Sequence, residues 1–153
     1  MKARTLLLSM ALCFVGTTVC FAQNPHMGTW KLNEAKSKIA AGFPKNSTVV
    51  YEAQGDNVKV TMDGTRDGNP THTEWTGKFD GKDYPVTGDP TADTRSYTKI
   101  DDHTLAVASK KDGKVVISGR TVVSADGKSR TAHLTRTDSA GKTVSSTVVY
   151  DKQ

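Results

Sequence analysis

The sequence predicts an all-β chain, an antiparallel up-and-down meander closed into a barrel of eight to ten strands, with at most one short helix after the first strand. Three observations point there. Asp-Gly recurs five times, and a tight hairpin turn needs the positive φ that Gly and Asp tolerate. Short runs of alternating apolar and polar residues fill almost everything after Lys45. No connection after Lys45 is long enough for the helical crossover that a parallel sheet requires. An open sheet of that many strands would leave two long edges, which closure removes.

In chain order, the first 22 of the 153 residues stand apart. Lys2 and Arg4 open a basic segment, residues 5–21 are uncharged, and Ala22 precedes polar Gln23. A basic start, a short apolar core and a small residue before the cut mark a secretory signal peptide. A membrane anchor is the alternative, but residues 6–15 supply about half of the roughly 20 apolar residues a spanning helix needs. Cys20 invites a lipoprotein reading, which the preceding Thr17-Thr18-Val19 does not support. The expected organisation is therefore a signal peptide over 1–22 and one barrel domain over 23–153, located in the periplasm or outside the cell.

Cleavage after Ala22 removes both cysteines, so no disulfide can staple the exported chain and its core must suffice. Loss of Lys2 and Arg4 lowers the formal charge of +5 by two. That small excess is spread over turn lysines such as Lys82, Lys114, Lys128 and Lys142 and lacks the basic stripe of a nucleic-acid binder. No nucleic-acid partner, no membrane span in the mature chain and a monomer are the expectations.

The elements follow in turn. A first strand covers 29–32. Asn33 is placed to cap a short helix through Glu34-Ala35-Lys36 toward Ala41, stopped by Gly42-Phe43-Pro44. Strands are then expected at 47–54, 57–62, 71–79, 84–87, 94–100, 104–110, 114–124, 130–137 and 143–151, with a long separator at 63–70. The apolar sets Val58/Val60/Met62, Leu105/Val107, Ala132/Leu134 and Val144/Val148/Tyr150 define the inward face.

Gly28-Thr29-Trp30-Lys31-Leu32 resembles the Gly-x-Trp opening of the calycins, the lipocalins and intracellular fatty-acid-binding proteins. Tyr150-Asp151-Lys152 is similar to the closing strand of the fatty-acid-binding group. Gly28–Leu32, Asp80–Val86 and Val123–Lys128 together resemble exported lipocalin-like proteins of soil bacteria. The resemblance implies a barrel with an interior ligand, and structural roles for Gly28 and Trp30, the indole plugging the closed end. Two features depart from the fatty-acid-binding group. Residues 33–46 leave room for one short helix where that group has a helix-turn-helix, and Val148 stands where it places an arginine.

Catalytic signatures are missing. There is no Gly-x-Ser-x-Gly elbow, and His26, His72, His103 and His133 are scattered without a metal-ligand spacing. Gly127-Lys128-Ser129 and Gly141-Lys142-Thr143 mimic the end of a phosphate loop, but Val122 and Arg136 occupy the required upstream glycine positions. Asp63 to Glu74 has the twelve-residue spacing of a calcium loop, yet Thr65 replaces a carboxylate and Pro70 sits mid-loop. A hairpin turn explains the same residues. No cofactor, no metal and no enzymatic activity are expected; a hydrolase or isomerase working from Glu74 or Asp83 would be the catalytic alternative.

The candidate ligand-binding residues are arginines and tyrosines that share parity with inward positions. Arg130 and Arg136 alternate with Ala132 and Leu134, Arg120 shares parity with Val116 and Val122, and Arg95 alternates with Tyr97. A buried arginine needs an anionic partner, so a cluster of Arg120, Arg136, Arg95, Tyr97 and Tyr150 would suit a ligand carboxylate. Arg120 is the expected principal donor because it lies mid-strand. The competing arrangement puts Arg130 and Arg136 at the rims and Arg120 outside. Function is expected to be non-catalytic binding of a small hydrophobic or amphipathic molecule. The alternative is a structural or interaction barrel filled by Tyr51, Trp75, Phe79 and Tyr97.

Overall fold

The computed structural model describes residues 24–138 and 140–153; the expected signal peptide lies outside them. Ten strands follow one another: β1 (Gly28–Leu32), β2 (Lys45–Gln54), β3 (Asn57–Arg66), β4 (Asn69–Gly77), β5 (Tyr84–Thr87), β6 (Thr94–Lys99), β7 (Thr104–Lys111), β8 (Lys114–Val123), β9 (Ser129–Thr137) and β10 (Thr143–Lys152). Each pairs antiparallel with its neighbours in sequence, and β1 pairs with β10 to close the barrel. The meander expected from the turn spacing is the observed fold.

Two local expectations are corrected. The segment after β1 is a single 3-10 turn, Glu34–Lys36, rather than a helix reaching Ala41. Asn33 does cap it, accepting from the Lys36 amide at 3.1 Å. The chain is then drawn back to the wall. The Ser37 hydroxyl accepts from the Val149 amide at 2.9 Å, and Lys38 forms a bridge with Thr147. The Lys38–Thr147 bridge satisfies backbone groups that a longer helix would have used.

The separator at 63–70 is likewise mostly strand. β3 runs to Arg66 and β4 resumes at Asn69, leaving Asp67-Gly68 as the whole turn. Both residues have positive φ, 49° and 81°, the conformation a two-residue hairpin demands. The twelve residues that mimic a calcium loop are therefore two paired strands, with Asp63 opposite His72 and Thr61 opposite Glu74. Among the described residues no group of three potential ligands is placed to hold a metal ion, and no helix is long and apolar enough to cross a membrane.

The core lies inside the barrel. Trp30, Tyr51, Val60, Trp75 and Leu105 are its most completely buried members. Alternation places Val60, Met62, Leu105, Val107, Ala132, Val148 and Tyr150 inward as expected. At roughly 1.5–3 kcal/mol per fully buried large apolar side chain, this set holds the barrel, and no cysteine lies among the described residues.

Candidate functional site

The interior is filled unevenly. Toward the end where β1 begins and β10 finishes, Tyr51, Trp75, Phe79, Tyr84 and Tyr97 form a nest of rings. Trp75 and Tyr97 meet edge to face at 4.8 Å, and Trp75 stacks with Phe79 at 6.4 Å. Trp30 sits beneath it, wholly buried, its indole donating to the His26 carbonyl at 2.9 Å while the Lys152 ammonium lies 5.0 Å from the ring centroid. Gly28 brings the backbone to within 3.2 Å of Lys152 Cε, measured from where a Cβ would stand. The His26 ring is held down to a pKa of about 4, chiefly by burial and then by the nearby Arg130 guanidinium.

Above the rings the barrel keeps a cavity of about 70 Å³. Its polar wall consists of Arg95, Tyr97, Ser109, Thr121, Arg130 and Tyr150; its apolar wall of Val49, Met62, Val107, Ile117, Ala132 and Leu134. Pro44, Asn46 and Asp89 line it toward the loops, where a smaller hollow continues past Arg66, Thr71 and Pro90. At about 10–15 Å³ per water position, the cavity has room for about five waters, far less than the roughly 300–1,000 Å³ of a drug-sized pocket.

Electrostatics inside are unbalanced. Arg95, almost wholly buried, donates from Nε to Ser109 Oγ at 2.9 Å and from Nη2 to Asp89 Oδ2 at 3.3 Å. Asp89 is also 3.6 Å from Arg66 Nη1 and accepts from the Thr91 amide and hydroxyl. One buried carboxylate thus serves two guanidinium groups. Arg130 is just as buried but has no ion pair among the described residues. Its Nη2 donates to the Tyr51 hydroxyl at 2.5 Å, and its guanidinium lies 4.6 Å from the Tyr51 ring and 5.8 Å from that of Tyr150. Burial pushes Tyr150 up to about 12 and Tyr51 well above the ordinary phenol value, against the opposing pull of Arg130. Both phenols therefore keep their protons at neutral pH.

Of the sequence candidates, the structure brings Arg95, Tyr97 and Tyr150 to this cavity. It turns Arg120 outward, exposed and opposite His133, which corrects the expectation that Arg120 faces the interior. The reason is a β-bulge. Between the pairs Ser109–Ile117 and Lys110–Val115, residue Val116 has no partner. Val116 packs on the core while Ile117 also lines the cavity, so the alternation shifts by one before Arg120 is reached. Arg136 sits at the rim instead of in the cavity wall, its guanidinium 5.5 Å from the Phe43 ring centroid and donating to the Ala41 carbonyl at 3.4 Å. Arg130, whose inward parity was visible but whose place beside a turn suggested the rim, reaches the cavity from its start in β9. The sequence candidates do not include Asp89, Ser109 or Thr121, and Thr121 is hidden by the same bulge.

Glu74 and Asp83, the catalytic alternatives, are engaged outside by Lys59 at 2.6 Å and Lys110 at 2.7 Å. A larger hollow of about 530 Å³ lies on the outer surface among Asn24, Lys99, Asp102, His103, Asp126 and Lys152. It holds none of the buried, unpartnered polar atoms found among the described residues.

No family model matches the chain, and no curated protein matches it. Among solved structures, it is similar to bovine odorant binding protein in complex with a selenium-containing odorant, at 15% identity and a TM-score of 0.45 over 99% of this chain and 78% of the other. The class defined by fold and site rests on the chain itself: a closed, ten-stranded antiparallel barrel with a small polar cavity inside.

Proposed function

We propose that this protein is a non-catalytic binding barrel that takes a small amphipathic molecule into its interior. The observation that carries the reading is the uneven filling. A barrel packed with rings at one end keeps a cavity at the other, and that cavity gathers Arg95, Arg130, Tyr97 and Tyr150. A barrel serving only as a scaffold gains nothing from buried arginines, because desolvating a guanidinium costs several kcal/mol unless partners compensate. The polar end of the ligand belongs among these donors. Any apolar remainder extends past Pro44 and Asp89 toward the loops. Export after cleavage near Ala22, monomeric behaviour and the absence of catalysis belong to the same proposal, the first tested by the mass of the mature chain.

The second reading, a filled interaction barrel, is favoured by one specific fact: the cavity is small beside the aromatic nest. Native mass spectrometry of the purified protein, followed by titration of the delipidated protein with a fluorescent fatty-acid probe, separates the two. A co-purifying mass or saturable probe binding supports the binding barrel. Neither, at protein concentrations well above micromolar, supports the filled scaffold.

A further inference from the structure

We infer that the occupant of the cavity is a monoanion of the carboxylate class, seated between the Arg130 guanidinium and the Thr121 hydroxyl. This deepens the binding reading and rests on it. The interior around the cavity contains three arginines, Arg66, Arg95 and Arg130, and one carboxylate, Asp89. Asp89 is committed to Arg66 and Arg95. Arg130 is 4% exposed, and its Nε and Nη1 have no hydrogen-bond partner. Thr121 is 2% exposed, and its Oγ1 is also without a partner. Both line the same cavity.

The register brings these groups together. Arg130 lies opposite Val123 on β8 and opposite Tyr150 on β10, and Thr121 opposite Ala132. Thr121 and Arg130 are therefore diagonal neighbours on one inner face, close enough to converge on one small group. Buried donors are rarely left unmade, and a buried charge without a counter-charge is costlier still. Water in the cavity would satisfy the hydroxyl but leave the charge. The faces of Tyr51 and Tyr150 offset part of the charge yet accept nothing from Nε or Nη1 in the guanidinium plane. A planar oxyanion does both, with one oxygen for the guanidinium edge and one for the hydroxyl. Arg66 and Arg95 already share Asp89, so Arg130 is the guanidinium without an ion pair among the described residues, and one carboxylate meets it. The cavity volume of about 70 Å³ fits a carboxylate and the first carbons behind it.

The experiment is calorimetric titration of the mature protein at neutral pH with hexanoate, 1-hexanol and acetate. Saturable hexanoate binding, at least tenfold tighter than hexanol, is expected. Arg130→Met should erase that preference while far-UV circular dichroism still reports the barrel. Thr121→Val should weaken hexanoate several-fold and leave hexanol unchanged, and it carries the test if Arg130→Met does not fold. Acetate binding as tightly as hexanoate identifies a free small anion, and tighter hexanoate identifies the headgroup of a longer molecule; both support a monoanion. Equal affinity for hexanoate and hexanol overturns the anion while leaving a binding barrel intact. No binding of any of the three overturns the anion, and if the fluorescent probe also fails, the binding reading falls with it. A hexanoate preference that survives Arg130→Met shows that a donor other than Arg130 holds the carboxylate and overturns the assignment.

Discussion

The end of the barrel where β1 begins and β10 finishes and the end that carries the β3–β4 and β5–β6 turns are built by the same alternation but filled with opposite chemistry. At the first, aromatic rings meet edge to face, and the indoles of Trp30 and Trp75 donate to the carbonyls of His26 and Arg95. At the second, short side chains such as Ser109 and Ala132 leave space, and arginines outnumber carboxylates. The aromatic end turns area into stability, since each ring buries roughly 150–250 Å². The arginine end gives up packing and keeps donors waiting. Trp75 joins the two, because its indole N–H holds the Arg95 backbone at 2.8 Å while its ring stacks among the others.

This contrast can be broken at several points. Trp75→Ala should have the largest effect, a loss of about 4 kcal/mol in urea unfolding from the cavity it opens among the rings. Asp89→Ala leaves Arg95 and Arg66 without their shared carboxylate and should cost about 3 kcal/mol by the same measurement. If it proves neutral, the buried pair is better hydrated than its burial implies.

Acid should act on the aromatic end. The unfolded chain protonates His26 below about pH 6.5, whereas the folded chain resists until about pH 4. Stability present above pH 6.5 is therefore lost as pH falls toward 4, by about 2–3 kcal/mol, and His26→Gln should flatten that slope. His72 has the opposite sign. Its hydrogen bond to Asp63 and the attraction of that carboxylate raise its pKa, so its contribution is present below pH 6.5 and fades as pH rises through the raised value. His72→Gln should alter only that limb of the pH–stability curve. Smallest of all, Arg120→Ala should change stability by less than about 0.5 kcal/mol and leave probe binding unaltered, as for other exposed sites.

The strands were legible because their punctuation is chemical. Asp112-Gly113 takes positive φ at both positions and marks a tight turn between two expected strands; Asp67-Gly68 does the same, but lies inside the expected separator at 63–70. What stayed hidden depends on partners distant in sequence. The short helix expected through Ala41 loses to the bonds Ser37 and Lys38 make with β10. The inward face of β8 could not be extrapolated from Val116 to Arg120, because a bulge is defined by the strand opposite and leaves no fixed residue signature. Arg130 had the right parity, but only the register beside Tyr150 and the length of its side chain carry its guanidinium from a turn into the cavity.

The seam between β1 and β10 has a kinetic consequence. Every other strand pair joins neighbours in the chain, but here Trp30 lies opposite Lys152, and the Gln153 amide donates to the Thr29 carbonyl at 3.0 Å. The entropy of closing nearly the whole chain into one loop falls on this single pairing. Local hairpins can form and re-form early, whereas the ring cannot shut until the last residues are in place. Until then two strand edges stay open, and the chain is at its most vulnerable to pairing with another copy.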